Sequence, residues 1–418
     1  MSALRQKIEQ EIHTHGPIPF SRYMELCLYD PELGYYSRHA EQFGKAGDFY
    51  TSSDVHAVFG RLLARQFDEM WRALGTPQNI VVKELGPGRG LFAQDVLDWS
   101  EKKFPDFFAA LRYVLDERSP ALRQRIGVTL SRHLESGKAL LSSADVSAPT
   151  IVFANEFFDA LPVEILSSEG SLRIAARDGR LVEAWAPPSP EELEFLDRYS
   201  IHPEPGERVE VALQSQTHMR AAASLERGFA VIIDYGYTRD EQLAGRHRGT
   251  LKAIRQHSVS DNPYEAPGEQ DITADVNFTA LGAAAEKQGM QTHKLITQSQ
   301  FLLGIGEANE FSDAFEDCCL PQEHAKVALQ LKHLVTPAGM GESFQVFIAS
   351  KRIEEEKVAS LAGLNFARGI APRVLSSRAA AKPARGTVRR PQHRCGGWNE
   401  HAAGCGEGDH DRVGLNAS

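Results

Sequence analysis

Apolar residues in the first 75 positions recur at helical spacing, with Ile8 and Ile12 near the start and Val58, Leu62, Leu63, Phe67 and Met70 later. Between these helices lies 29-YDPELGYYSRHAEQFGKAGDFYTSSD-54, dense in Gly, Asp, Ser and Tyr, which reads as an ordered loop. From 79 to 156 the pattern alternates. Strand IVVKEL is followed by helix LFAQDVLDW, strand LRYVLDE, helix ALRQRIGVTLSRHL, a short strand and strand TIVFANE. Strands separated by helices predict right-handed crossovers and a parallel sheet, hence an α/β, doubly wound fold. The continuous apolar run 229-FAVIIDYGY-237 predicts a further strand buried on both faces of that sheet.

Other stretches break this rhythm. In SLRIAARDGRLVEAW, Asp178-Gly179 stands between two short strands and signals a tight hairpin. Residues 296–340 read as a helical insertion and 344-FQVFIASK-351 as a last strand. The pattern divides the chain into an N-terminal helical region (1–75), a first half-sheet (76–162), an antiparallel insertion (163–228) and a second half-sheet (229–352). In the final segment (353–418), APRVLSSRAAAKPARGTVRRPQHR carries seven Lys and Arg and no acid. Its low hydrophobicity predicts a disordered, solvated extension rather than a nucleic-acid arm.

At 418 residues the chain can bury a large core. A net charge of −10 argues against general nucleic-acid binding, which needs a basic face. The five cysteines show neither a disulfide framework nor metal spacing, which suits a reducing compartment. No apolar run approaches the roughly 20 residues of a membrane span. The start, MSALRQKIEQEIHTHGP, lacks an apolar signal core and an acid-poor transit character, so the expected location is cytoplasmic.

The chemistry concentrates at predicted strand ends. In ELGPGRG, Gly86 allows a tight turn, Gly88 lets the backbone approach a ligand, and Gly90 opens the helix. A dinucleotide fingerprint would space the third glycine one residue later, and Glu84 beside the turn would repel a diphosphate. An acid there suits a cationic ligand, and S-adenosylmethionine offers a sulfonium, an amino group and no phosphate. The next strand ends in Asp116-Glu117, and Glu117, nearer the strand end, is the candidate for the ribose hydroxyls. In 153-FANEFFDALP-162, Asn155, Glu156 and Asp159 fall at the same edge, where polar side chains face a cleft or cap a turn. Asp234 ends the following strand and could equally be a strand-end cap.

These segments carry a resemblance. The chain resembles the MidA-type S-adenosylmethionine-dependent methyltransferases, the family of the mitochondrial complex I assembly-factor arginine methyltransferase. The matching stretches include 16-GPIPFSRYMELCLYDPELGYYS-37, 47-GDFYTSSDVHAVFG-60, ELGPGRG, 155-NEFFDALPVE-164, 233-IDYGY-237, RGTL with His257, 267-PGEQDITADVNFTAL-281, 299-SQFLLGIGE-307 and 339-GMGESFQVF-347. The resemblance implies a class I methyltransferase (Rossmann-like) fold with family-specific N-terminal and insertion elements. It also implies that GDFYTSS folds over the cofactor, which makes Asp48, Tyr50, Thr51 and Ser52 candidate contacts. Family members commonly have His at the position of Glu164, often Tyr at that of Ile254, and His-Val-Asp-Phe where this chain has Asp275-Val276-Asn277-Phe278.

The substrate so implied is an arginine on a protein, such as a respiratory-chain subunit. A guanidinium is a poor nucleophile while protonated, and carboxylates near the transferred methyl could hold it bidentately and take its proton. Glu156 and Asp159 are the catalytic candidates, with Asp234 third. A second reading keeps the cofactor site and makes the protein a non-catalytic assembly factor that holds a partner. A third, a nicotinamide-dependent oxidoreductase, is opposed by Glu84 and the glycine spacing.

Overall fold

The computed structural model describes residues 2–38, 57–141, 148–255, 258–260 and 262–365. The GDFYTSS stretch with Asp48, Tyr50, Thr51 and Ser52, His257, and the basic tail therefore lie outside the described residues.

The central sheet is built on β1 (Ile80–Leu85), β2 (Leu111–Asp116), β3 (Ala139–Leu140), β4 (Thr150–Asn155), β5 (Gly228–Tyr237) and β6 (Phe344–Lys351). Their order across the sheet is β3-β2-β1-β4-β5-β6, with the two-residue strands Gln291–Thr292 and Ile296–Thr297 pairing beyond β6. The first five run parallel and β6 is antiparallel to β5. The chain reverses direction between β1 and β4, so ligand chemistry is expected at the carboxyl ends of those two strands. Register fixes which residues meet there: Leu85 lies opposite Asp116 on one side and Ala154 on the other, and Asn155 lies opposite Ile233.

β1, β4 and β5 are almost wholly buried, in keeping with their Val-, Ile- and Phe-rich centres. Helices Ala57–Ala73 and Leu91–Lys103 cover one face, where Phe67, Phe92 and Phe153 pack together and the Phe92 and Phe153 rings stack at 4.5 Å. On the other face Val152, Ala154, Ala230 and Ile232 meet helices Leu213–Ala222 and Phe278–Glu286.

The hairpin at Asp178-Gly179 forms as its sequence predicts, with both residues at positive φ (49° and 67°) and β-strands Gly170–Arg177 and Arg180–Ala186 on either side. The N-terminal region is not one unit, however. Helix Ala57–Ala73 belongs to the central core. Residues 2–38 instead share a core with the insertion: Leu4, Ile8, Phe20 and Tyr23 pack with Ile165, Leu172, Ile174 and Val209. Ile18–Pro19 even adds a short antiparallel strand to the Gly170–Arg177 edge. A three-stranded sheet of Lys252–Arg255, Ser258–Ser260 and Asp271–Thr273 was not predicted, because strands this short carry no readable alternation. Among the described residues no helix is long and apolar enough to cross a membrane.

Candidate functional site

Three glycines make the turn after β1, and all three have left-handed φ: 64° at Gly86, 54° at Gly88 and 78° at Gly90. Their reasons differ. A Cβ on Gly86 would lie 2.7 Å from the Phe157 ring, and one on Gly90 would crowd Leu130 at 3.2 Å. A Cβ on Gly88 would meet nothing within 4 Å among the described residues. Gly88 thus faces open space at the carboxyl edge of the sheet, which is where a ligand needs bare backbone.

Glu117 follows β2 and accepts the Ser119 N–H at 2.8 Å. The Gly88 N–H also lies close enough to pull its carboxyl down, although burial outweighs this and pushes it up. The structure therefore brings Glu117 and the glycine turn together. It modifies the expectation for Glu84. That side chain does not stand open beside the turn but is buried, and its Oε2 accepts the Tyr113 hydroxyl at 2.9 Å. Burial pushes its carboxyl up to about 8, so an ionised Glu84 at neutral pH calls for a nearby cation.

Beyond β4 the chain turns sharply through Asn155-Glu156-Phe157-Phe158-Asp159. Glu156 adopts φ 51°, a strained conformation for a residue with a side chain. Its N–H bonds the Ile233 carbonyl at 3.0 Å, and its Oε1 accepts from Asn155 Nδ2 at 3.1 Å. Asn155 Oδ1 is buried and has no hydrogen-bond partner among the described residues.

Asp159 is 6% exposed. Its Oδ2 accepts the Tyr235 hydroxyl, and its Oδ1 is buried without a hydrogen-bond partner among the described residues. Burial pushes this carboxyl up to about 6 against the pull of the tyrosine hydroxyl. Two orphaned acceptors, one at the end of β4 and one in the turn after it, fit a ligand bearing N–H donors.

Asp234 has another task. It has no surface exposure, and its Oδ2 accepts the backbone N–H groups of Phe157, Phe158 and Asp159 at 3.0–3.3 Å while Oδ1 accepts that of Tyr235. Burial and the neighbouring Asp159 and Glu156 carboxyls push its own carboxyl well up. Of the two roles its sequence allowed, catalytic carboxylate or strand-end cap, these bonds give Asp234 that of a cap holding the turn that carries Glu156 and Asp159. Asp234→Ala should strand four backbone donors, those of Phe157, Phe158, Asp159 and Tyr235, and cost about 1–3 kcal/mol or more in unfolding free energy, read from denaturant midpoints.

The residues at odds with the resembling family have local structural partners. Glu164 accepts from the Ser21 N–H and hydroxyl at the start of helix Phe20–Tyr29, and Asp275 pairs with Lys252 at 3.0 Å. Asn277 caps helix Phe278–Glu286 through the Ala280 N–H. Sequence reasoning missed Tyr113, Phe157 and Tyr235 as supports. The adjacency of Tyr235 to Asp234 in IDYGY was the available signal, since an aromatic hydroxyl at a strand end can reach a neighbouring acid.

Similarity to known proteins identifies the family. Residues 62–296 match the family described as "Putative S-adenosyl-L-methionine-dependent methyltransferase". The chain is 31% identical over 379 residues to the protein arginine methyltransferase NDUFAF7 homolog, mitochondrial, of Drosophila melanogaster, covering 82% of this chain and 84% of that one. It is 30% identical to the Danio rerio protein arginine methyltransferase NDUFAF7, mitochondrial, covering 82% and 86%. A crystal structure from Burkholderia thailandensis, bound to S-adenosyl-homocysteine, superposes with a TM-score of 0.75 at 29% identity, covering 88% of this chain and 95% of that one.

Proposed function

We propose, because the chain belongs to this S-adenosyl-L-methionine-dependent methyltransferase family, that its methyl acceptor is an arginine side chain on a protein partner. Methyl transfer and its cofactor follow from the family. The acceptor is the further step. It is supported by the names of the related arginine methyltransferases and by one observation in this chain: Asp159 presents a buried carboxyl oxygen with no partner among the described residues, three residues after Glu156 along the same turn.

When bound, the cofactor supplies an electrophilic methyl on a sulfonium. The protein's part is to place its backbone and acids around that group. Gly88 leaves room at the edge of β1, and Glu117, just after the adjacent β2, suits the ribose hydroxyls. Buried Glu84 gains from a positive charge nearby. Glu156 and Asp159 would hold a guanidinium by charge-assisted hydrogen bonds, concentrate its positive charge away from the attacking nitrogen and take the released proton. The test is mass spectrometry of cellular proteins with and without the active enzyme. Arginines bearing one or two extra methyl groups only in its presence support the reading. A protein that rescues a partner's assembly with no arginine modified would instead be a scaffold.

A pH dependence follows. If Asp159 must be ionised to bind the acceptor, kcat/KM should fall on the acid side of about pH 6, well above the ordinary aspartate range. Between pH 7 and 5 the ionised fraction drops about tenfold, and the rate should follow it. The effect of this group on stability has the opposite sign. A carboxyl whose folded pKa is raised contributes stability below its unfolded pKa and loses it as pH rises through about 6. Loss of rate on acidification therefore cannot come from Asp159 destabilising the fold, and Asp159→Asn should remove the acid limb.

A further inference from the structure

The segment 29-YDPELGYY-36 is held rigidly against the site. Asp30 closes it, accepting the Glu32 and Leu33 N–H groups through Oδ1, pairing with Lys7 through Oδ2, and taking the Ser37 hydroxyl on its carbonyl. Gly34 fits because a Cβ would lie 2.5 Å from the Asp30 nitrogen. This arrangement fixes two aromatic rings. Tyr29 and Tyr36 lie 5.5 Å apart, tilted by 34°. The Tyr29 hydroxyl donates to the carbonyl of Ala160, next to Asp159, at 2.8 Å, and the Tyr36 hydroxyl donates to Asp271 Oδ1 at 3.1 Å.

Tyr29 is 39% exposed even though its hydroxyl is tied to the Ala160 carbonyl. Burial, with the charges of Asp159, Asp271 and Glu117 and against that of Arg118, pushes the Tyr29 hydroxyl well up. Asp159 and Asp271 also act on Tyr36.

From these contacts we infer that Tyr29 and Tyr36, with Asp159 and Asp271 at their hydroxyl ends, form an acceptor wall that selects a planar guanidinium over an ammonium. A guanidinium can lie flat on an aromatic ring and still present N–H pairs to carboxyl oxygens in its plane. The unpartnered Oδ1 of Asp159 supplies one such acceptor. An ammonium is a compact, strongly hydrated point charge that gains little from a flat wall. The inference rests on the arginine reading above and extends it to the residues that would enforce it.

The test titrates Nα-acetyl-arginine amide and Nα-acetyl-lysine amide into the full chain saturated with S-adenosylhomocysteine, followed by NMR. The arginine probe should bind at least about tenfold tighter, an ordinary magnitude for a stacked and hydrogen-bonded cation. Tyr29→Leu should erase that preference and raise KM for an arginine acceptor with little change in kcat. Tyr29→Phe should restore much of it by keeping the ring. Melting temperature and S-adenosylhomocysteine affinity serve as controls for the fold, and Tyr36→Leu is the second variant should Tyr29→Leu not fold. Equal binding of both probes, no binding of either, or an unchanged preference in both leucine variants would overturn the inference. Arginine methylation persisting alongside an unchanged preference would sink the wall and leave the arginine reading standing. Guanidinium selection without any arginine methylated would do the reverse.

Discussion

Gly88→Val should abolish S-adenosylmethionine binding while leaving a folded protein. Gly88 has φ 54°, so any side chain there costs about 1–2 kcal/mol of backbone strain. Nothing among the described residues lies within 4 Å of the added Cβ, so no packing clash adds to that cost. The valine side chain would instead fill the space in front of the turn. A well-placed cofactor cannot share that space, and the expected loss is about a hundredfold or more in affinity, or about 2.7 kcal/mol. Gly86→Ala is the informative contrast. Its Cβ would strike the Phe157 ring at 2.7 Å, so stability as well as binding should suffer. Calorimetric titration with S-adenosylmethionine and thermal melts of both variants check the pair. Near-normal cofactor affinity in Gly88→Val would mean that the cofactor does not approach this turn.

Glu156→Gln and Asp159→Asn should each slow methyl transfer by about 10²–10⁴-fold, the usual cost of losing a positioned acid–base group. Cofactor affinity should change little, because both residues follow β4 while the glycine turn and Glu117 follow β1 and β2. Single-turnover transfer of labelled methyl separates the chemical step from binding. Asp159→Asn keeps the size of the side chain and can still accept the Tyr235 hydroxyl, so the change isolates charge. Glu156 allows a second check through its φ of 51°. Glu156→Gly relieves that strain and should leave the fold as stable or more so, while transfer falls as in the glutamine variant. Full transfer rates in both charge-removing variants would defeat the assignment of these two acids.

The local patterns along the chain determined the elements of the central sheet and the edge at which its chemistry lies. Short β-branched and apolar runs at 80–82, 151–154 and 229–233, bounded by turn residues, read as strands buried on two faces, and a glycine turn after the first marks the ligand edge. The hairpin at Asp178-Gly179 was equally local, since two consecutive positive φ angles demand that residue pair or one like it.

Contacts between distant segments were decided by the tertiary structure alone. Whether Glu84 stands open or buried depends on Tyr113, on a neighbouring strand, and whether Asp234 reacts or holds a turn depends on where residues 157–159 aim their N–H groups. An isolated acid reads alike in both cases, because its role is set by partners tens of residues away in sequence. The same holds for Tyr29, whose exposed ring is fixed by a carbonyl at residue 160, and for residues 2–38, whose apolar helix faces fit any core until the insertion sheet supplies one. Burial and pairing are properties of the assembled surfaces, and no periodicity within one segment encodes its partner.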